Sequence, residues 1–521
     1  MSSNAVSELG GRELTRWFWR QLTSMRTALM LLLLLAIAAV PGSLVPQRGV
    51  DAQAVETYFL EHPKSAPILD DLGFFSVYSS PWFSAVYLLL MVSLVGCILP
   101  RAFVYYRALR ARPPKAPRNF SRLPASASFE TDSSPDEVVA AARRALGRSR
   151  IDVVDRDGVR EVSAEKGFLR EAGNLLFHVS IVVVLIGVAV GTLFGYRGSV
   201  IVTDGGGQFA NSLPQYDEFS SGTLFHTDDL PPFSLTLDKV TAKFQPFGSP
   251  QAGAPREFRA TGTYSAKPGD DPKPFDIEVN HPLAIGNTSV YLLGQGYAPV
   301  FKITDANGDV VYNDAVPFLP ADATYTSNGI IKVPDAQPEQ LGFQGFFIPT
   351  AVTQNGKDLS TSAHPAAANP LVGLNVWHGD LGLDDGTSQS VFTLDKSKMQ
   401  QYTVGDQNFR VSLQPGMTAD LPDGGTIEFT ELRQFARFQI GSSPLVKVPL
   451  FGIIAGLIGL MASLTIKPRR TWIRTRQDGS RTVVEVAVLD RVPRDDLPAD
   501  LDDFLERFKD QLGHTEEKKL V

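Results

Sequence analysis

The sequence predicts a membrane α-helical protein: four transmembrane helices, a large extracytoplasmic all-β domain and a small cytoplasmic α/β element. Three observations predict it. Four segments stay apolar for about 20 residues, the length that crosses a bilayer. Arginine and lysine crowd the flanks of those segments on one side only, the bias of cytoplasmic loops. Residues 196–445 run instead in short alternating stretches broken by Gly, Pro and Asn-Gly or Asp-Gly turns, the pattern of β-strands.

Residues 1–24 form a cytoplasmic N-terminus with Arg12, Arg16 and Arg20, and Arg26 follows at the start of the first span. That span is 25–45, "MRTALMLLLLLAIAAVPGSLV", and "PGSLVPQ" at 41–47 ends its helix. "AIAAVPG" has the look of a signal-peptide cleavage site. The length of the run, and the three spans that follow it, favour a retained helix. Residues 46–81 hold only Arg48 and Lys64 and are read as an extracytoplasmic loop. The second span is 82–100, with Trp82 as an interfacial anchor at its mouth.

Residues 101–171 return to the cytoplasm, led by Arg101, Arg107, Arg110 and Arg112. "SASFE" alternates as a strand, and "SPDE" at 134–137 is a capping box with Pro135 at the first helical position. That helix stops at Gly147. "IDVVDRDGVREVSAEKG" reads as two strands around an Asp-Gly turn. The third span is 172–195. Residues 196–445 are the extracytoplasmic β-rich domain, a sandwich or related architecture. The fourth span is 446–466. Residues 467–521 end the chain in the cytoplasm with a hairpin and a helix whose Leu501, Phe504, Leu505, Phe508 and Leu512 share one face. Trp472 reads as a second interfacial anchor. Whether the two cytoplasmic pieces pack together is open from sequence.

The chain of 521 residues carries a net charge of −7, which argues against a nucleic-acid partner. Its one cysteine, Cys97, excludes an intrachain disulfide, a C-x-x-C redox pair and a C-x-x-C-H haem attachment site. No Ser-His-Asp pattern or P-loop is present, and "GGG" at 205–207 does not open a helix. His226, His281, His364 and His378 are scattered through the β-rich domain without ligand spacing.

His178 is the sharpest candidate, because an ionisable residue inside a span is costly and usually marks function. It lies about 9 Å inside the cytoplasmic edge, counting 1.5 Å per residue from Ala172. Asn174, four residues earlier, shares its face. The plain reading is a neutral histidine in an interhelical hydrogen bond. The functional readings are ligation of a metal or haem iron, or a proton relay. A relay needs further ionisable groups, which the apolar cores of the spans lack; a haem ligand needs only a second axial group from another chain. Cys97 is placed at a similar depth and reads as a small hydrophobe or as a thiol at a haem edge.

Several stretches in this order resemble the ResB family of the System II cytochrome c biogenesis complex. They are "LTSMRTALMLLLLLAIAAVPGSLVPQ", "FSVYSSPWFSAVYLLLMVSLVGCILPR", "KGFLREAGNLLFHVSIVVVLIGVAVGTLFGYRGSVIV", "NHPLAIGNTSVYLLGQGYAP" and "PLFGIIAGLIGLMASLTIKPRRTW". The resemblance implies a non-catalytic membrane subunit of a haem-attaching cytochrome c synthase complex, in the bacterial cytoplasmic membrane with both termini inside. It implies haem b, transported or transiently bound, with His178 as an axial ligand of the haem iron. Asn174 is a neighbour of that ligand, and Cys97 matches a cysteine of some members. The implied partners are a membrane protein of the ResC or CcsA type, apocytochrome c and a thioredoxin-like thiol reductant. Val182 and Leu185 would flank the porphyrin, and Arg101 or Arg170 would meet its propionates. One departure is that "GSSPLVKVP" stands where the family often has Asp-Pro-Gly before the fourth span. The competing class is a scaffold that binds no haem, whose β-domain binds a partner protein and whose histidine only packs. A small-solute or proton transporter is disfavoured by the poor polar path.

Overall fold

The structure is a computed structural model that describes residues 10–50, 52–156, 158–353, 360–383, 386, 391–490 and 496–517. Asp157, half of the expected Asp-Gly turn, and the first nine residues lie outside that set. Contacts divide the chain into two units, residues 1–188 with 446–521, and residues 189–445.

The first unit carries the helices α1 (Gly11–Leu22), α2 (Met25–Leu44), α3 (Ala52–Glu61), α4 (Ala66–Asp71), α5 (Pro81–Arg110), α6 (Pro135–Leu146), α7 (Leu169–Phe194, continuing into the second unit), α8 (Lys447–Thr465) and α9 (Leu497–Glu517). Four of them, α2, α5, α7 and α8, are long and apolar enough to cross a membrane. Ser24 starts α2 by accepting the Thr27 N–H at 3.2 Å. The helix passes through Pro41 and ends at Leu44, because Val45 precedes Pro46 and is pushed to an extended conformation. Pro100 does not end α5, which runs on to Arg110 through sequence expected to have left the helix. A proline removes one backbone bond there. Beyond it, Arg107 stacks over Phe103 and Arg110 over Tyr106, at 4.6 and 4.4 Å, pairs at i,i+4 that favour the continued helix.

Glycine sets how closely the apolar helices approach. Gly173 of α7 and Gly459 of α8 meet with no room for a side chain. A Cβ on Gly459 would lie 2.7 Å from the Gly173 carbonyl oxygen and 2.7 Å from the Phe177 nitrogen. Gly187 meets Pro449 and Gly452 meets Val184 along the same seam. In lipid, where apolar burial between helices adds little, such close backbone packing is a main source of association.

The remainder of this unit is one antiparallel sheet built from both ends of the chain. Its strand order is Ala125–Thr131, Arg481–Asp490, Arg469–Asp478, Val159–Lys166, Arg150–Arg156. The join between the two pieces pairs Ile473 with Val162 and Arg474 with Glu161. Ser134 and Glu137 form the capping box of α6, which stops at Gly147 with φ +54°. The apolar faces of α6 and α9 cover one side of the sheet: Val138, Ala141, Ala142 and Leu146 meet Leu501, Phe504, Phe508 and Leu512 over Val162, Ile473, Val484 and Val486. Trp472 is not an interfacial anchor. It is buried on the other side with Phe120 and Ala487, and its Nε1–H donates to the Pro114 carbonyl at 2.9 Å. In a strand, alternation turns it inward once Ile473 faces the helices. Trp82 sits at the start of α5 and donates to the Leu72 carbonyl at 3.0 Å.

Beyond the end of α7, the second unit is built of β-strands with short 3₁₀ turns. Its spine is a pair of 17-residue strands, Thr288–Thr304 and Thr426–Ser442, paired antiparallel end to end. One end contributes Val290, Leu292, Phe438 and Ile440 to a core shared with Phe209, Leu235 and Ile277. The other end contributes Phe301, Ile303, Ile427 and Phe429 to a second core with Phe318, Phe343 and Val376. Sheets of seven, six and four strands wrap these two cores. Asp204 ties two strands by accepting the Gln434 N–H at 3.0 Å, and its burial pushes the carboxyl above its usual range. Where "GSSPLVKVP" replaces the familiar turn, Leu445 takes a left-handed φ of 58° just before α8.

Candidate functional site

Position 178 lies in the first third of α7, on a face α8 does not use. At 100° per residue it stands roughly 140° around the helix from Gly173. Ser180, Val184 and Gly187 meet α8 on the Gly173 side, while Leu176, Val179, Val183 and Ile186 are exposed. His178, Asn174, Val182 and Leu185 fall on the remaining side and are half-buried.

The imidazole is oriented by its own helix. Its Nδ1 lies 2.7 Å from the Asn174 carbonyl oxygen. A carbonyl only accepts, so Nδ1 carries the proton and donates. In the neutral imidazole the other nitrogen, Nε2, then holds a lone pair. Nε2 has no hydrogen-bond partner among the described residues. Phe177 meets the ring edge-on at 5.4 Å, and Tyr105 of α5 lies at 5.9 Å. The helix therefore presents an imidazole with one nitrogen anchored and the other without a hydrogen-bond partner among the described residues, the arrangement metal-bound histidines usually have.

Asn174 takes part through its backbone carbonyl, which any residue would supply. Cys97 is not brought to His178. Tyr105 occupies that position, and Cys97 is two turns earlier on α5, about 12 Å along the helix. Cys97 is a free, half-buried thiol. Arg170 donates to the Ser463 carbonyl at 3.2 Å, and Arg101 rests against the Met25 sulfur.

Tyr105 was not anticipated from sequence, since an aromatic near a span end has many roles. It also lines a cavity of about 790 Å³ between the ends of α5 and α7 and the sheet. Arg112, Arg150, Glu165, Glu171 and Arg470 share its wall. Arg150 reaches Glu165 and the Leu109 carbonyl, and Arg470 pairs with Glu165 at 3.3 Å. With Asp490 also in the wall, three arginines face three carboxylates, and these contacts fasten the end of α5 to the sheet.

The β-rich unit gathers no metal cluster; among the described residues no three His, Cys, Asp or Glu side chains do so. His364 is buried with both nitrogens engaged, one at the Gln245 carbonyl and the other accepting the Ala366 N–H. His378 stacks on Tyr402 and meets Glu339 at 2.5 Å. His226 and His281 are exposed. His62, which the sequence did not single out, stacks on Tyr58 at 4.4 Å.

The sequence model of the ResB-like family matches residues 25–502. Among curated proteins, the cytochrome c biogenesis protein CcsB of Synechococcus sp. (strain WH7803) is 30% identical over 279 residues, covering 52% of this chain and 58% of that protein. The CcsB of Thermosynechococcus vestitus is 26% identical over 287 residues, covering 54% of this chain and 60% of its own. The matches thus span somewhat under two thirds of these relatives. A family match running from the start of α2 into α9 covers most of the sequence, and on that ground the chain belongs to the ResB-like family.

Proposed function

We propose that this chain is the membrane subunit of a cytochrome c biogenesis complex, and that it holds haem inside the bilayer through His178. The free Nε2 of His178, on a face of α7 left open by α8, carries the proposal. Haem is here the cargo. Nε2 would bind its iron, and a histidine of a CcsA-type partner would close the opposite side. The hydrogen bond from Nδ1 to the Asn174 carbonyl fixes the tautomer and makes Nε2 a better donor. Val182 and Leu185, on the same side of the helix, would meet the porphyrin edge.

The charge bias of the loops supports cytoplasmic termini in the bacterial inner membrane, with residues 196–445 on the outer side. There the β-rich unit would meet the partner, or an apocytochrome c kept reduced by a thioredoxin-like protein. The names of the CcsB relatives support the pathway. A histidine that only packed would be expected to satisfy both nitrogens in an apolar span, whereas among the described residues Nε2 of His178 has no partner.

Purified together with its CcsA-type partner, the chain is expected to carry haem b with the absorption of a six-coordinate, low-spin iron. A complex active in cytochrome c assembly, yet holding no more haem than the buffer control, overturns the reading. Asn174→Ala is a finer check. It keeps the backbone carbonyl that orients His178, so haem content should stay within about twofold of wild type; the orienting partner of a ligand, when lost, costs about 10- to 100-fold.

A further inference from the structure

We infer that α1 is an interfacial helix that lies in the headgroup layer and binds anionic lipid. Arg12, Arg16 and Arg20 recur every fourth residue and form one face of α1. Leu14 and Phe18 fall on the opposite face at 100° per residue and Trp17 at its edge, and the three are 56%, 59% and 55% exposed. A basic face opposite a Trp/Phe/Leu face on a short helix is the pattern of helices that lie in a membrane surface.

A second observation sets the depth. The Ser93 hydroxyl of α5 donates to the Leu22 carbonyl at 2.6 Å, fastening the end of α1 to a membrane-spanning helix. Thr23 packs directly on Gly96, and Trp19 approaches the same glycine. Both contact points precede Arg101, by about 7.5 Å for Gly96 and about 12 Å for Ser93 along α5. The end of α1 is therefore held below the level of the first arginine after the apolar run. At that level the exposed apolar face meets acyl chains, and the three arginines meet phosphates. Glu13 is the one acidic residue of the helix, so its three arginines leave a net charge of +2. The chemistry recognised is an anionic phospholipid headgroup above a hydrocarbon boundary.

The test uses the full chain in nanodiscs of phosphatidylcholine with or without phosphatidylglycerol. An environment-sensitive dye is placed at Phe18→Cys in a Cys97→Ser background. Nitroxides on the acyl chains should quench it, and aqueous iodide should reach it several-fold less than free dye. Phosphatidylglycerol retained through purification should fall about fivefold or more in the Arg12→Gln/Arg16→Gln/Arg20→Gln variant. The matching triple Lys variant, which keeps the charge, should retain it. Free access of iodide means α1 stands in water and overturns the inference. Protection from both quenchers means a protein covers the face and overturns it too, as does unchanged retention in the Gln variant.

Discussion

His178→Ala is expected to remove the haem absorbance of the complex, to below about a tenth of wild type, while leaving the two subunits associated. The expectation rests on a single atom. In the neutral ring the lone pair is on Nε2, because Nδ1 is committed to the Asn174 carbonyl. No other histidine lies in the four long apolar helices, so the chain has no substitute imidazole there. Because loss of a partner that merely orients a ligand costs about 10- to 100-fold, loss of the ligand itself should cost at least as much. Added imidazole should restore part of the absorbance by filling the space vacated by the ring. The measurement is the Soret band per mole of purified complex, with cytochrome c yield in the same cells as a second readout. Full Soret absorbance in the alanine variant would assign the iron to other residues and leave His178 a packing role.

Gly459→Val is expected to break the pairing of α7 with α8 and to lower both the amount of folded protein and its haem content. A Cβ at 459 would sit 2.7 Å from a backbone oxygen and 2.7 Å from a backbone nitrogen, neither of which can swing away as a side-chain tip can. Overpacking of this kind costs about 1–3 kcal/mol even where side chains can adjust. Here the whole of α7 must shift, and Phe177, one of the contacted residues, adjoins His178. Gly456 provides the control on the same helix. Its nearest neighbour would be the Ser180 Cβ at 3.5 Å, an ordinary contact, so Gly456→Ala should fold and bind as wild type does. Thermal unfolding of the purified complex, followed by Soret loss and by scattering, separates the two variants. Equal melting of both would show that the seam does not govern the spacing of these helices.

Properties set by neighbouring residues could be read from the sequence. Twenty apolar residues make a span whatever surrounds them, so α2, α7 and α8 were legible to within a few residues at each end. Ser134, Glu137 and Gly147 bound α6 through bonds made within one turn, and they do so in the structure. Alternation and turn residues announced an all-β unit in the same local way. His178 stood out because a lone imidazole in an apolar run is conspicuous without any neighbour.

Pairings between distant segments could not be read this way. The joining of 159–166 to 469–478 in one sheet depends on a register between segments about three hundred residues apart, and no local pattern encodes it. Burial of Trp472 follows from that register, whereas its sequence neighbourhood, just past a span and rich in arginine, points to the interface. The second span was expected to end at residue 100, but the helix runs on to Arg110, with Arg107 and Arg110 stacked along α5. The choice of Tyr105 over Cys97 as the neighbour of His178 is set by how far α5 slides along α7, a quantity a sequence does not contain. The sequence alone placed an imidazole in a run long and apolar enough to cross a membrane. The helix itself decided which nitrogen is free, because the Asn174 carbonyl takes one proton, and the tertiary structure decided which face stays open, because the glycine seam with α8 claims the other side.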